Sequence, residues 1–235
     1  MYPDDVFERV TRTVDAHRLP VVLFDLDSTL FDTAARNLRI VREFAAEHGH
    51  TGLSAVVDGL RLSEFGWSVS APLRARGIAE PALHEALLAF WAARFFTSEY
   101  VLEDHATAGA PAFVRGCYER GALIYYLTGR HQGGMEGGTL SALMLRGFPV
   151  LRGRIALHLK PSFHLADRAF KESAIREIRS LHGDVVATFE NEPGNANMFH
   201  HAFPDALHYL VGTVCAPDPE ALHDNVVRLT DFNAA

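Results

Sequence analysis

Several short polar clusters in this sequence combine residue types that chemistry uses. Asp25-Leu26-Asp27-Ser28-Thr29 places two carboxylates two residues apart, where the apolar run VVLFDL (21–26) ends. Carboxylates leaving a strand end at that spacing can converge on one site. Asp25 still lies within the apolar run, where a charge is costly unless paired or metal-bound. A solvated turn is the bland alternative, since Asp, Ser and Thr are common there. Thr128-Gly129-Arg130 follows a second apolar run, ALIYYL (122–127). A hydroxyl with a nearby backbone N–H can hold phosphate oxygens, although a plain turn between strand and helix reads the same way. Glu190-Asn191-Glu192-Pro193, then Asn195 and Asn197, follows VVATF (185–189) and again sets acids at a strand end. Of the 22 basic residues only Lys160 and Lys171 are lysines. The stretch KESAIREIRSLH (171–182) predicts an amphipathic helix. Lys171 then sits near its own helix N-terminus, against the macrodipole, and so unfavourable a placement suggests a role. Lys160, closing the apolar run RIALHL (154–159), is the competitor.

Elements that alternate must position these residues. A helix is predicted over 4–17, ended by the Leu19-Pro20 step. VVLFDL, with its β-branched members, reads as a buried central strand. No strand pattern occurs between about 32 and 121, while 34–49, 53–62, 70–77 and 81–97 read as helical, the last opening with Pro81. Alternation resumes with a helix at 108–120 and a strand at 122–127. The Gly-rich stretch GGMEGG (133–138) precedes a helix to Arg146, and 154–159 forms a strand. The helix at 171–182, a strand at 185–189, a short helix at 195–203 and a last strand at 206–211 complete the pattern. The remainder reads as a tail packing on the sheet. Such alternation argues for a parallel α/β sheet, which binds ligands at the carboxyl ends of its strands.

Composition narrows the partners. The 235 residues carry a net charge of −7, with 48% hydrophobic residues and no basic stripe. Nucleic acid and anionic membrane are therefore not expected, and no apolar run approaches the roughly 20 residues of a membrane span. Two widely spaced cysteines, Cys117 and Cys215, and an acidic start without an apolar core are consistent with a reducing cytoplasm. Among the 13 histidines the tight pairs are His48/His50 and His200/His201, and neither has partners at metal-ligand spacing.

FDLDSTLFD (24–32) resembles motif I of the haloacid-dehalogenase-like superfamily, a hydrophobic strand followed by DxDxT. LTGR resembles motif II, Lys171 the motif III lysine and FENEP motif IV, in the family's order across 21–197. The resemblance implies a Rossmann-like core of residues 1–32 and 106–235, with an all-helical cap of the C1 type inserted over 33–105. It implies Asp25 as nucleophile, forming an aspartyl-phosphate, and Asp27 as general acid/base. Thr128 and Gly129 would hold the phosphoryl group, with Lys171 neutralising charge. Mg²⁺ would be held by Asp25, the main-chain carbonyl of Asp27, Glu190 and Asn191. The family usually carries aspartates at motif IV, where this chain has Glu190-Asn191, and Pro193 is expected to turn Glu192 away. The expected activity is phosphohydrolysis of a small phosphorylated molecule by a monomer or homodimer. The alternatives are a phosphotransferase and a phosphate-binding regulatory protein with weak turnover. Cap aromatics are expected in the cap's own core, with Phe65-Gly66-Trp67 as a candidate substrate contact.

Overall fold

The computed structural model describes residues 4–49, 52–212 and 214–233. The elements run α1 (Asp4–Asp15), β1 (Pro20–Phe24), β2 (Phe31–Asp32), α2 (Ala34–His48), α3 (Leu53–Asp58), α4 (Ala71–Ala75), α5 (Pro81–Phe95) and α6 (Ser98–Val101). They continue with β3 (His105–Ala106), α7 (Ala110–Glu119), β4 (Leu123–His131), α8 (Gln132–Leu145), β5 (Ile155–Lys160) and α9 (Asp167–Ser180). The chain closes with β6 (Asp184–Glu190), α10 (Pro193–Ala202), β7 (Leu207–Val211) and β8 (Val226–Leu229).

Six strands form one parallel sheet in the order β5-β4-β1-β6-β7-β8. β1 lies inside it and is buried along its whole length, which explains its unbroken apolar run. Its side chains alternate between faces. Val22 and Phe24 pack with α1, α7 and α8, while Val21 and Leu23 pack with α9 and α10. On the first face Phe24, Phe189 and Tyr209 stack in series across β1, β6 and β7, with ring centroids 4.9 and 4.8 Å apart.

Helices α2–α6 occupy the segment between β2 and β3. Their own apolar cluster, from Ala34 to Leu87, includes Leu38, Val41, Phe44 and Leu73. β2 and β3 pair antiparallel, Phe31 with Ala106 and Asp32 with His105. β3 corrects the expectation of no strand before 121; a two-residue strand is too short to show alternation. The tail also differs from expectation, since β8 adds a sixth strand beside β7 and Phe232 enters the main core.

The Gly-rich stretch is not a loop but the first half of α8. A β-carbon on Gly138 would lie 2.3 Å from the Ser98 carbonyl oxygen, so glycine there lets α6 dock against α8. Ser98 Oγ fastens the contact, accepting from the Gly138 amide at 3.0 Å and donating to the Gly134 carbonyl at 2.9 Å. Gly138→Ala improves helix propensity by about 1 kcal/mol but overpacks against backbone, which costs about 1–3 kcal/mol. The expected net result is a lower urea midpoint.

His208 on β7 is buried between Thr188 Oγ1 (2.8 Å from Nδ1) and the Phe203 carbonyl (3.0 Å from Nε2). Nε2 donates to the carbonyl, and Nδ1 accepts from the hydroxyl. Burial lowers the imidazole pKa to about 4. The unfolded chain therefore takes up a proton before the folded one as pH falls. Stability is expected to drop between pH 6.5 and 4, by on the order of 2–3 kcal/mol from this group. Urea titrations of the wild type and His208→Asn across that range check it, the variant giving the flatter profile.

Candidate active site

Parallel pairing of β1 with β6 aligns Phe24 with Phe189, so Asp25 and Glu190 leave adjacent strands side by side. The Asp25 amide continues the ladder, donating to the Phe189 carbonyl at 3.0 Å. Adjacent strands lie about 4.8 Å apart, so two carboxylates meet there and need a cation between them. Lys171 supplies it, with Nζ 2.9 Å from Asp25 Oδ1 and 2.8 Å from Glu190 Oε2. All three are buried. Asp25 Oδ2 accepts from Thr29 Oγ1 at 3.1 Å. Burial drives the carboxyls of Asp25 and Glu190 above the usual range, and Lys171 offsets this only in part. The same two carboxylates raise Lys171 well above its ordinary value and keep it charged.

Lys171 thus reaches the site, but not from a helix start. α9 begins at Asp167, one turn earlier, and Asp167 Oδ2 lies 3.6 Å from Nζ. Asp167 in the first turn suits the dipole. Lys160 ends β5, in register with His131 on β4. Gly129 has a structural demand of its own, since a β-carbon there would lie 2.3 Å from Asp167 Oδ1. That oxygen is buried and has no hydrogen-bond partner among the described residues. β4 runs past the expected end at 127 to His131, so Thr128 is buried within the strand, its Oγ1 accepting from the Arg130 amide at 3.2 Å.

Motif IV is divided in its tasks. Glu190 Oε1 accepts from the amides of Asn191 (3.1 Å) and Glu192 (3.3 Å), which shapes the entry to α10. Asn191 Nδ2 donates to the Val214 carbonyl at 2.8 Å. Glu192 accepts from the Ala216 amide at 2.9 Å, and Lys171, Asp25 and Asp167 still act on its charge.

Asp27 belongs to a second charge cluster that sequence reasoning missed. Its Oδ1 accepts from Arg130 (Nε at 3.0 Å, Nη2 at 2.5 Å) and from Arg36 Nη2 at 3.1 Å. Burial alone would raise this carboxyl, but Arg130 and Arg36 outweigh it and hold it near 2. Asp104 lies behind, paired with both arginines. Arg36 carried a legible signal. It shares a helix face with Ile40 and Phe44, both fully buried, so a charge stood within an apolar stripe. Between Asp27 and Thr29, Ser28 adopts a left-handed φ of 60°, an uncommon conformation for a residue with a side chain. Its amide donates to the Phe31 carbonyl at 2.7 Å, which closes the loop tightly.

A cleft of about 480 Å³ opens beside this loop, between the inserted helices and the sheet's carboxyl end. Ser28, Asn37, Phe65, Gly66 and Gly212 line it. Trp67 is 58% exposed and does not line it. A second cleft of about 430 Å³ is bordered by Arg9, Arg12, Arg179 and the start of β6, and contains none of the residues above.

Among the described residues no three His, Cys, Asp or Glu side chains converge to hold a metal by themselves. His200 packs on His223 with ring centroids 4.0 Å apart, and His48 packs on Phe44 at the same spacing. His50 lies outside the described residues. The first charge cluster does suit a hard cation that keeps water and main-chain ligands. Three carboxylates face one ammonium, and the Asp167 Oδ1 lone pairs have no partner.

No known protein-family model matches the chain, and no curated protein matches it in sequence. Solved structures do match in fold. A protein assigned as a haloacid dehalogenase-like hydrolase from Bacteroides fragilis superposes with a TM-score of 0.53 at 15% identity, over 90% of this chain and 97% of that one. One assigned as a phosphatase from Clostridium difficile gives 0.52 at 13% identity, over 90% and 94%. The protein tyrosine kinase A of Mycobacterium tuberculosis gives 0.51 at 16% identity, over 91% and 95%. The six-stranded core with its helical layers is thus the Rossmann-like fold of haloacid-dehalogenase-like proteins.

Proposed function

We propose that the protein is a phosphohydrolase of small phosphorylated molecules that works through a phosphoryl group carried on Asp25. The observation that carries this reading is the buried Asp25–Lys171–Glu190 cluster at the carboxyl ends of β1 and β6, with Asp27 two residues on. A carboxylate approaches an anionic phosphate only if cations screen both. Lys171 is one such cation. The residues that would hold Mg²⁺ are Asp25, the Asp27 carbonyl and the motif IV side chains Glu190 and Asn191. When bound, the ion supplies the remaining charge neutralisation at the reacting phosphate.

The chain's own residues divide the reaction into two steps. An Asp25 oxygen attacks phosphorus as the P–O bond to the leaving group breaks. Asp27 gives that leaving oxygen a proton. The phosphate's negative charge favours the protonated form of a carboxyl that the arginines otherwise keep ionised. Asp27 then takes a proton from water, which attacks phosphorus and frees Asp25 and inorganic phosphate. The Thr128 hydroxyl hydrogen is available to a phosphoryl oxygen.

The inserted helices fit a cap over this site, excluding water and admitting substrate through the Ser28 cleft. The net charge of −7 favours a small substrate over a polyanion. Hydrolysis of 4-nitrophenyl phosphate with and without Mg²⁺ tests the proposal. Phosphate release that depends on the ion supports it. An absence of turnover overturns it and leaves the phosphate-binding alternative.

A further inference from the structure

The Asp27–Arg36–Arg130–Asp104 cluster does more than balance charge. Its members come from four separate segments: the loop after β1, α2, the turn before β3 and the end of β4. Arg36, Arg130 and Asp104 have side chains with no solvent exposure, while the Asp27 side chain is 34% exposed. A buried ion network of this kind is weak evidence for stability, because apolar residues of similar volume often serve as well. Its geometry is informative instead. Arg130 contributes two donors and Arg36 one, and all three meet Asp27 at Oδ1. Oδ2 accepts no hydrogen bond among the described residues. Asp104 fixes the two guanidinium groups in turn. Arg36 Nε donates to its Oδ1 at 2.8 Å and Arg130 Nη2 to its Oδ2 at 2.8 Å, and Arg36 also pairs with Oδ2. Arg36 Nη1 donates to the Phe95 carbonyl at 3.2 Å, and its guanidinium carbon lies 4.2 Å above the Phe95 ring.

We infer that Arg36 and Arg130, held by Asp104, are positioning residues that clamp Asp27 by Oδ1 and leave Oδ2 as the oxygen that transfers the proton. Arg36 lies where the chain enters the inserted helices and Asp104 where it leaves them. The stem of the insertion therefore sets the aim of the acid/base. This inference rests on the phosphohydrolase reading and adds to it a role for the insertion beyond covering the site. In the first step the Oδ2 proton goes to the leaving oxygen as its bond to phosphorus breaks. In the second, Oδ2 takes a proton from the attacking water as the bond between phosphorus and Asp25 breaks.

The test compares two esters of nearly equal size, phenyl phosphate and 4-nitrophenyl phosphate. Phenolate is the poorer leaving group and needs the proton more. Arg36→Lys and Arg130→Lys keep the charge but lose the planar fork, and Asp104→Asn loosens the anchor without touching Asp27. Thermal unfolding shows which variants are folded, and three sites allow for the loss of one. For folded variants kcat on phenyl phosphate is expected to fall about 100-fold, and on 4-nitrophenyl phosphate about 10-fold. KM is expected to stay within about threefold. On the nitrophenyl ester a burst of nitrophenolate equal to the enzyme should precede the slow phase. Intact-mass spectrometry should then show phosphorylated protein accumulating, because the second step also needs Asp27. Equal losses on both esters without a burst indicate a merely structural cluster and overturn the inference, as does full activity. A wild type that hydrolyses neither ester removes the phosphohydrolase reading itself, and the inference falls with it.

Discussion

Asp25→Asn is expected to lower kcat by on the order of 10⁴-fold while the protein stays folded. The amide matches the carboxylate in shape but has no lone pair basic enough to attack phosphorus, so the first step is lost. The fold tolerates the change for a reason visible in the site. Asp25 and Glu190 share one ammonium, and burial raises the Asp25 carboxyl to about 8. Ionised Asp25 therefore burdens the metal-free protein. The folded state holds a proton that the unfolded state releases near pH 4. Stability from this group is fully present below that pH and is lost as pH rises toward 8. In EDTA, the wild-type melting temperature should thus decline across this window, and the variant should decline less. Steady-state kinetics and thermal melts at several pH values check both halves. A variant that turns over normally would sink the assignment of Asp25 as nucleophile. A variant that is inactive only because it unfolds would leave the stability argument without support.

The sheet was legible because its inner strands are largely buried on both faces. VVLF, LIYYL and VVATF could be read as apolar runs, and each ended in the polar residues that the fold brings to one edge. Asp25 and Glu190 could be singled out because a charge in or beside an apolar run needs a partner, and Lys171 because it is one of two lysines and read as opening a helix, a start that the structure moves to Asp167. Their mutual contact depends on the register of β1 against β6, which no local pattern encodes. The second cluster was less legible. Arg130 follows Thr128 in sequence, but its role depends on Asp104, a residue brought in by the pairing of β2 with β3. Strands of two residues leave no periodic signature. GGMEGG misled because glycine has a low helix propensity, whereas Gly138 is helical where another helix approaches it too closely for a side chain. β8 was missed for a related reason. Its four residues include Arg228 and follow a stretch rich in acids and prolines, so the local composition read as tail.

Lys171→Met carries the second large effect, because Lys171 links stability to chemistry. Removing it leaves Asp25 and Glu190 buried side by side without their shared cation. Breaking a buried pair in this way costs about 3–5 kcal/mol. The loss should be smallest where both carboxyls hold protons in either protein and should grow as the wild-type pair ionises with rising pH, which for Asp25 means toward pH 8. Turnover should also fall, by about 10²–10³-fold, since the phosphate would lose a fixed positive charge. A compensating change separates the two effects. Glu190→Gln in the Lys171→Met background removes one of the two stranded carboxyls, keeps the side chain's shape and leaves an amide oxygen for the Asn191 and Glu192 amides. It should recover most of the lost stability, read as the urea midpoint at pH 7, but little of the turnover. If activity returned along with stability, Lys171 would matter only as a support for the fold, and another group would have to neutralise the phosphate. If neither returned, the Asp25–Lys171–Glu190 contact would not be the interaction that holds these strand ends together. Recovery of stability alone would place Lys171 in both the fold and the reaction.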